Sequence, residues 1–123
     1  MLDPAAVVRT FFERMQERAW DAAAELVSGA AQIRFSETGE RFDGDGFLRM
    51  NRDYPEGWSL RVVDVIADGD RVAAQVRVEQ DGTNFWCAGF YTVRDGAIVA
   101  GVEHWVTEGA TAPPAWRRPY TVR

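Results

Sequence analysis

Lysine is absent from the 123 residues: all 14 basic residues are arginine, set against 19 acidic ones. The arginine-only usage reads as a coding bias in an Ala/Arg/Gly/Val-rich source. The net charge of −5 disfavours a nucleic-acid backbone or an anionic membrane surface as partner. Cys87 is the only cysteine, so no internal disulfide can form and no cysteine-built zinc site is available. With His104 the only histidine, a metal would need mostly carboxylate ligands, and neither a metal nor any other cofactor is expected. No apolar run approaches the roughly 20 residues of a membrane span. The opening Met-Leu-Asp-Pro lacks a basic-then-apolar leader, so the expected location is the cytoplasm.

What is present is ordinary globular composition, 46% hydrophobic and 27% charged, in a length that suits one domain over residues 1–123. Asp3-Pro4 is a strong helix start, a capping oxygen followed by a residue of pre-set φ. Val7, Val8, Phe11, Phe12 and Met15 then recur at helical spacing through about Arg18. Asp21 would cap a short helix over 22–27, ended by Gly29. Residues 31–36 read as a strand, 37–40 as a turn, and 45–53 as a third helix. From Trp58 the period changes to strands: 58–67, 71–80, 84–94 and 97–107, separated by Asp68-Gly69-Asp70, Asp81-Gly82 and Asp95-Gly96. Asp-Gly between alternating runs predicts tight hairpins, because both turn residues tolerate positive φ. The fold class is therefore α+β, with the helices covering one face of a mostly antiparallel meander. The tail, 112–123, holds three prolines and is neither helix nor central strand; Trp116 is expected to pack on the body or on a neighbouring subunit.

The turns predict register. Two-residue loops at Asp81-Gly82 and Asp95-Gly96 pair Arg77 with Trp86, Trp86 with Trp105, and Ala88 with Glu103. One face then carries Gln75, Arg77, Glu79, Trp86, Phe90, Glu103 and Trp105, joined by Trp58 if the first hairpin has an even loop. The other carries Val72, Ala74, Val76, Val78, Phe85, Cys87, Tyr91, Val102, His104 and Val106. Large rings among charges fit a cleft in which a few polar groups orient a ligand; a solvated face with cross-strand ion pairs is the other reading. If the cleft lies beneath the helices, the valine row needs cover from a second chain, and a homodimer through the sheet follows.

Several stretches resemble the nuclear transport factor 2-like superfamily in its SnoaL-like branch. They are Val7-Val8-Arg9-x-Phe11-Phe12, Trp20-Asp21, Gly57-Trp58, Phe90-Tyr91-x-Val93-Arg94-Asp95-Gly96-x-Ile98 and Glu103-His104-Trp105. The resemblance implies a cone-shaped α+β domain, with N-terminal helices closing the concave side of a curved sheet over a deep pocket, usually in a dimer. Members include ketosteroid isomerases, polyketide cyclases, dehydratases, epoxide hydrolases and domains without known activity, so fold alone does not assign function. Arg77-Val78-Glu79 and Glu103 are similar in placement to the Arg-x-Asp and the last-strand aspartate of limonene epoxide hydrolase, with Glu in both carboxylate positions.

These residues could support acid–base chemistry on a small hydrophobic, cyclic molecule. Glu103 would be the base, its proton affinity raised by burial against Trp86 and Trp105. Arg77 would hold Glu79 or stabilise an oxyanion. Trp58, Trp86, Phe90 and Trp105 would form the walls, with Tyr54 or Trp20 at the mouth. His104 is the alternative acid or base if a strand bulge turns it toward the cleft. A non-catalytic ligand-binding or dimeric scaffold domain remains the other functional reading.

Overall fold

A computed structural model of the chain describes residues 2–122. Helix α1 (Pro4–Gln16) begins where Asp3 accepts a hydrogen bond from the Ala6 amide at 2.8 Å, and it buries Val7, Val8, Phe11, Phe12 and Met15. Helix α2 (Trp20–Ala24) starts one residue before Asp21, which lies in its first turn and not at the cap. Strands β1 (Val27–Phe35) and β2 (Arg41–Asp43) form a hairpin around the turn expected at 37–40. Helix α3 (Gly44–Asp53) follows, capped by Asp43 through the Gly46 amide at 2.7 Å. The short β2 was not anticipated; its three residues are too few to show a period.

The meander forms as the Asp-Gly turns require. Strands β3 (Trp58–Asp68), β4 (Arg71–Gln80), β5 (Thr83–Arg94) and β6 (Ala97–Thr107) pair antiparallel in succession. Asp81, Gly82, Asp95 and Gly96 all take positive φ, the geometry that matches hairpin twist. β6 then pairs parallel with β1, giving an open six-stranded sheet in the order β2-β1-β6-β5-β4-β3. The helices pack on one face of it, and the core is the α1 stripe against Val72, Ala74, Val76, Cys87, Tyr91 and Val93. No helix among the described residues is long and apolar enough to cross a membrane.

Register is where sequence and structure part. The β4–β5 pairing is as expected, with Arg77 opposite Trp86. On β6 the ladder shifts between Val93↔Ile98 and Thr92↔Ala100, leaving Val99 as an extra residue. Beyond this bulge every side chain of β6 faces opposite to the two-residue-loop prediction: Gly89, not Ala88, stands across from Glu103, and Cys87, not Trp86, across from Trp105. A second irregularity at Val63 places Trp58, Leu60 and Val62 opposite Gln80, Val78 and Val76, on the valine face and not with Arg77. The valine row itself lies beneath the helices, so it needs no second chain to cover it. Trp116 is 70% exposed and the short 3-10 turn Ala115–Tyr120 buries none of its residues.

Deleting Val99 removes the residue that sets this parity and would turn Glu103 and Trp105 outward. The loss is expected to exceed about 2 kcal/mol, read as a lowered urea midpoint; an unchanged midpoint would show that the bulge does not fix the fold.

Candidate active site

Between the helices and the inner sheet face lies a cavity of about 260 Å³. β6 contributes Glu103, Trp105 and Thr107, β4 contributes Val76, Val78 and Gln80, and β3 contributes Trp58 and Leu60. Phe12 and Met15 come from α1, Phe47, Met50 and Asn51 from α3, with Tyr54, Phe35 and Glu37 nearer the rim.

Among the described residues Glu103 is the one charged residue in the buried core, 1% exposed. The Tyr91 hydroxyl donates to its Oε2 at 2.6 Å, and the Trp105 indole N–H donates to Oε1 at 3.1 Å. Tyr91 reaches it by lying along the sheet over two glycines. A Cβ at Gly89 would stand 2.1 Å from the Tyr91 hydroxyl oxygen, and one at Gly101 would stand 2.7 Å from Cδ1 of the ring. Gly89 pairs with Glu103 and Gly101 with Tyr91, so the strands open the space that the phenol fills. Phe12 meets the Tyr91 ring edge-on, with centroids 6.0 Å apart.

Burial dominates the electrostatics. Removing the carboxylate from water pushes the proton affinity of Glu103 above its ordinary value of 4.5, and the hydrogen bonds from Tyr91, Trp105 and Cys87 only partly offset this. Burial first, and the Glu103 charge second, raise the Tyr91 phenol and the Cys87 thiol as well. Cys87 is thus held as a thiol and is no nucleophile.

The Trp58 wall is fixed from behind. The Arg18 guanidinium sits 3.4 Å above the indole ring, donates to the Trp58 carbonyl at 2.6 Å and pairs with Glu56 at 2.9 Å. The Arg18 hydrogen bond lowers the Glu56 carboxyl below its ordinary range. Trp20 packs edge-on against Trp58, 6.4 Å between centroids, and supports the wall without lining the cavity.

Of the residues expected at one site, the structure brings together Glu103, Trp105, Trp58 and Tyr54. It separates the others. Arg77, Glu79, Trp86 and Phe90 lie on the outer face, because their strands keep the predicted parity while the helices cover the opposite side. Arg77 stacks over Trp86 at 5.5 Å and pairs with Glu108 at 3.9 Å, not with Glu79; Trp86 donates to the same Glu108 carboxylate. His104 is also on the outer face, bonded through Nδ1 to Ser36 Oγ at 2.6 Å, with its ring edge-on to Phe90. The bulge does turn His104, but away from the cavity. Sequence reasoning missed Tyr91 as a partner of Glu103 and missed Arg18 altogether. The available signal for Tyr91 was a glycine two residues before it on the same strand face.

A carboxyl whose folded-state proton affinity is raised stabilises the fold fully below its unfolded value. That contribution disappears as pH rises through the folded value. The stability of the wild type relative to Glu103→Gln is therefore expected to fall as pH climbs above 4.5. Urea titrations at stepped pH check this, and a difference that grows with pH would contradict it.

Residues 8–101 match the SnoaL-like domain family. No curated protein matches the chain. Among solved structures, a candidate ketosteroid isomerase from Kribbella flavida is 29% identical with a TM-score of 0.89, over 98% of this chain and 88% of that one. A candidate polyketide cyclase from Streptomyces antibioticus, wild-type IdmH, is 18% identical with a TM-score of 0.71, over 88% and 94%. An LEH-like epoxide hydrolase from M. tuberculosis is 17% identical with a TM-score of 0.71, over 84% and 82%. The latter two share the fold. With a family match over most of its length, and with N-terminal helices packed on an open, curved sheet, this chain belongs to the SnoaL-like domain family of nuclear transport factor 2-like proteins.

Proposed function

We propose that the protein binds a small hydrophobic, cyclic molecule in the inner cavity and moves a proton on it with Glu103 as general acid–base, in the manner of an isomerase or cyclase and without a cofactor. One observation carries the reading: the one buried carboxyl among the described residues stands at an apolar, aromatic-walled cavity, held by neutral donors. A carboxyl whose proton affinity is raised is better matched to taking and returning a proton than an ordinary one. The likeness to the Kribbella flavida protein supports the isomerase sense. A hydrolase reaction built on an arginine between two carboxylates has less support, because Arg77 and Glu79 point away from Glu103.

Deuterium exchange into small cyclic ketones, with and without an amino substituent, tests the reading by NMR in D2O. Exchange above background is expected with the wild type and should drop about 10²–10⁴-fold in Glu103→Gln. A ligand that raises the melting temperature but shows no exchange in either protein would favour the non-catalytic binding domain instead.

We also infer a homodimer through the outer sheet face. Trp86 stands opposite Val106, and Phe90 opposite Val102, making an apolar strip on which Val106 is 60% exposed. Sedimentation at micromolar concentration should give twice the 13.8 kDa chain mass; a monomer overturns the dimer without touching the cavity.

A further inference from the structure

The lining of the cavity is one-signed. Glu103 stands at its wall and Glu37 near its rim, and among the described residues no arginine or histidine lines it. The arginines are spent elsewhere. Arg34, Arg41 and Arg71 surround a hollow on the other side of the sheet, Arg77 pairs with Glu108, and Arg18 lies behind the Trp58 ring, paired with Glu56. His104 is on the outer face.

We propose that the cavity selects a small organic amine, bound as its ammonium ion against Glu103. The proposal rests on the reading of this cavity as the ligand site and adds the sign of the ligand's charge. Three observations support it. First, Tyr91, Trp105 and Cys87 donate to Glu103, whereas an ionised carboxylate offers about four acceptor positions; one stays open for a ligand N–H. Second, these donors are all neutral, and no salt bridge reaches Glu103 among the described residues. A buried carboxylate without a counter-charge is costly, which is why its proton affinity is raised in the free protein, and a bound ammonium ion supplies the counter-charge and lowers that affinity again. Third, the walls are aromatic, with Phe35, Phe47, Tyr54, Trp58 and Trp105 among them, and the faces of such rings attract a cation. An anionic ligand would meet a like charge, with no cationic side chain among the described lining residues to offset it. A neutral one would gain a hydrogen bond but leave the carboxylate uncompensated. At about 260 Å³ the cavity lies below the usual range for drug-sized ligands, about 300–1,000 Å³, so a single-ring amine fits the available space.

Three ring-matched probes test the charge preference: cyclohexylmethylamine, cyclohexylmethanol and cyclohexanecarboxylate, each titrated by calorimetry against the wild type and Glu103→Gln. The expected result is amine binding at least about tenfold tighter than alcohol and no carboxylate binding. In Glu103→Gln the amine advantage should vanish while the alcohol affinity stays the same. Equal amine and alcohol affinities in the wild type would overturn the charge preference and leave the ligand site standing. An amine advantage that persists in Glu103→Gln would likewise overturn the role of Glu103 as counter-ion. If no probe of any charge binds, the reading of the cavity as a ligand site falls with the proposal. The wild-type contrast between amine and alcohol decides the matter even if the variant does not fold.

Discussion

The extra residue in the last strand governs what this protein can do. Without a bulge, Ile98, Ala100, Val102, His104 and Val106 would all face the helices, and Glu103 would face away. That row is more apolar than the one the structure uses. With Val99 bulged, Gly101, Glu103 and Trp105 turn inward while Val106 is left largely exposed. Hydrophobic patterning alone selects the other parity. A chain that buries a carboxylate and exposes a valine gives up stability at that point, and departures of this kind concentrate at functional sites.

The arrangement is tolerable because Glu103 does not enter the core alone. Tyr91 can hydrogen-bond to it only because Gly89 and Gly101 leave the sheet surface bare beneath the ring. Trp105, two residues along the same strand and therefore on the same face, supplies the second donor. The three side chains form a small polar island whose members satisfy one another, the condition under which buried polarity is tolerated. Burial still outweighs these hydrogen bonds, so the carboxyl ends with a raised proton affinity rather than a lowered one. A tight ion pair in place of these neutral donors would have had the opposite effect, and Arg77, which the sequence placed in the same cleft to hold Glu79 or an oxyanion, is on the far side of the sheet.

Most of the architecture was legible in the sequence because it is written in local signals. Asp3-Pro4 marks a helix start, the Val7–Met15 stripe marks a buried face, and three turns divide the meander. The site was legible only in part. Two features reverse the expected faces: the valine row lies inside, beneath the helices, and β6 carries a bulge. For Glu103 and Trp105 the two reversals cancel, and both residues face the cavity. For Arg77, Glu79, Trp86 and Phe90, which lie on strands without the parity change, only the first reversal applies, and they face outward. A bulge costs one residue and leaves no periodic trace, so parity beyond it cannot be counted from the turn. Contacts between distant segments, such as Arg18 on Trp58 across 40 positions, have no sequence signature either.

That last contact bears on how the cavity discriminates. Trp58 opens β3 at the edge of the sheet, where a large ring would otherwise be free to swing. It is held from behind by a stacked guanidinium and edge-on by Trp20, with the guanidinium itself fixed by Glu56 and by the backbone carbonyl of Trp58. Arg18 adopts φ of 60° to reach this position, a conformation that disfavours a non-glycine residue unless surrounding contacts compensate. The chain thus accepts backbone strain at the end of α1 to immobilise one wall, just as it accepts an exposed valine to aim one carboxylate. A rigid aromatic wall facing a fixed carboxylate leaves the ligand little freedom in shape and orientation, which is the pre-organisation that proton transfer and selective binding both need.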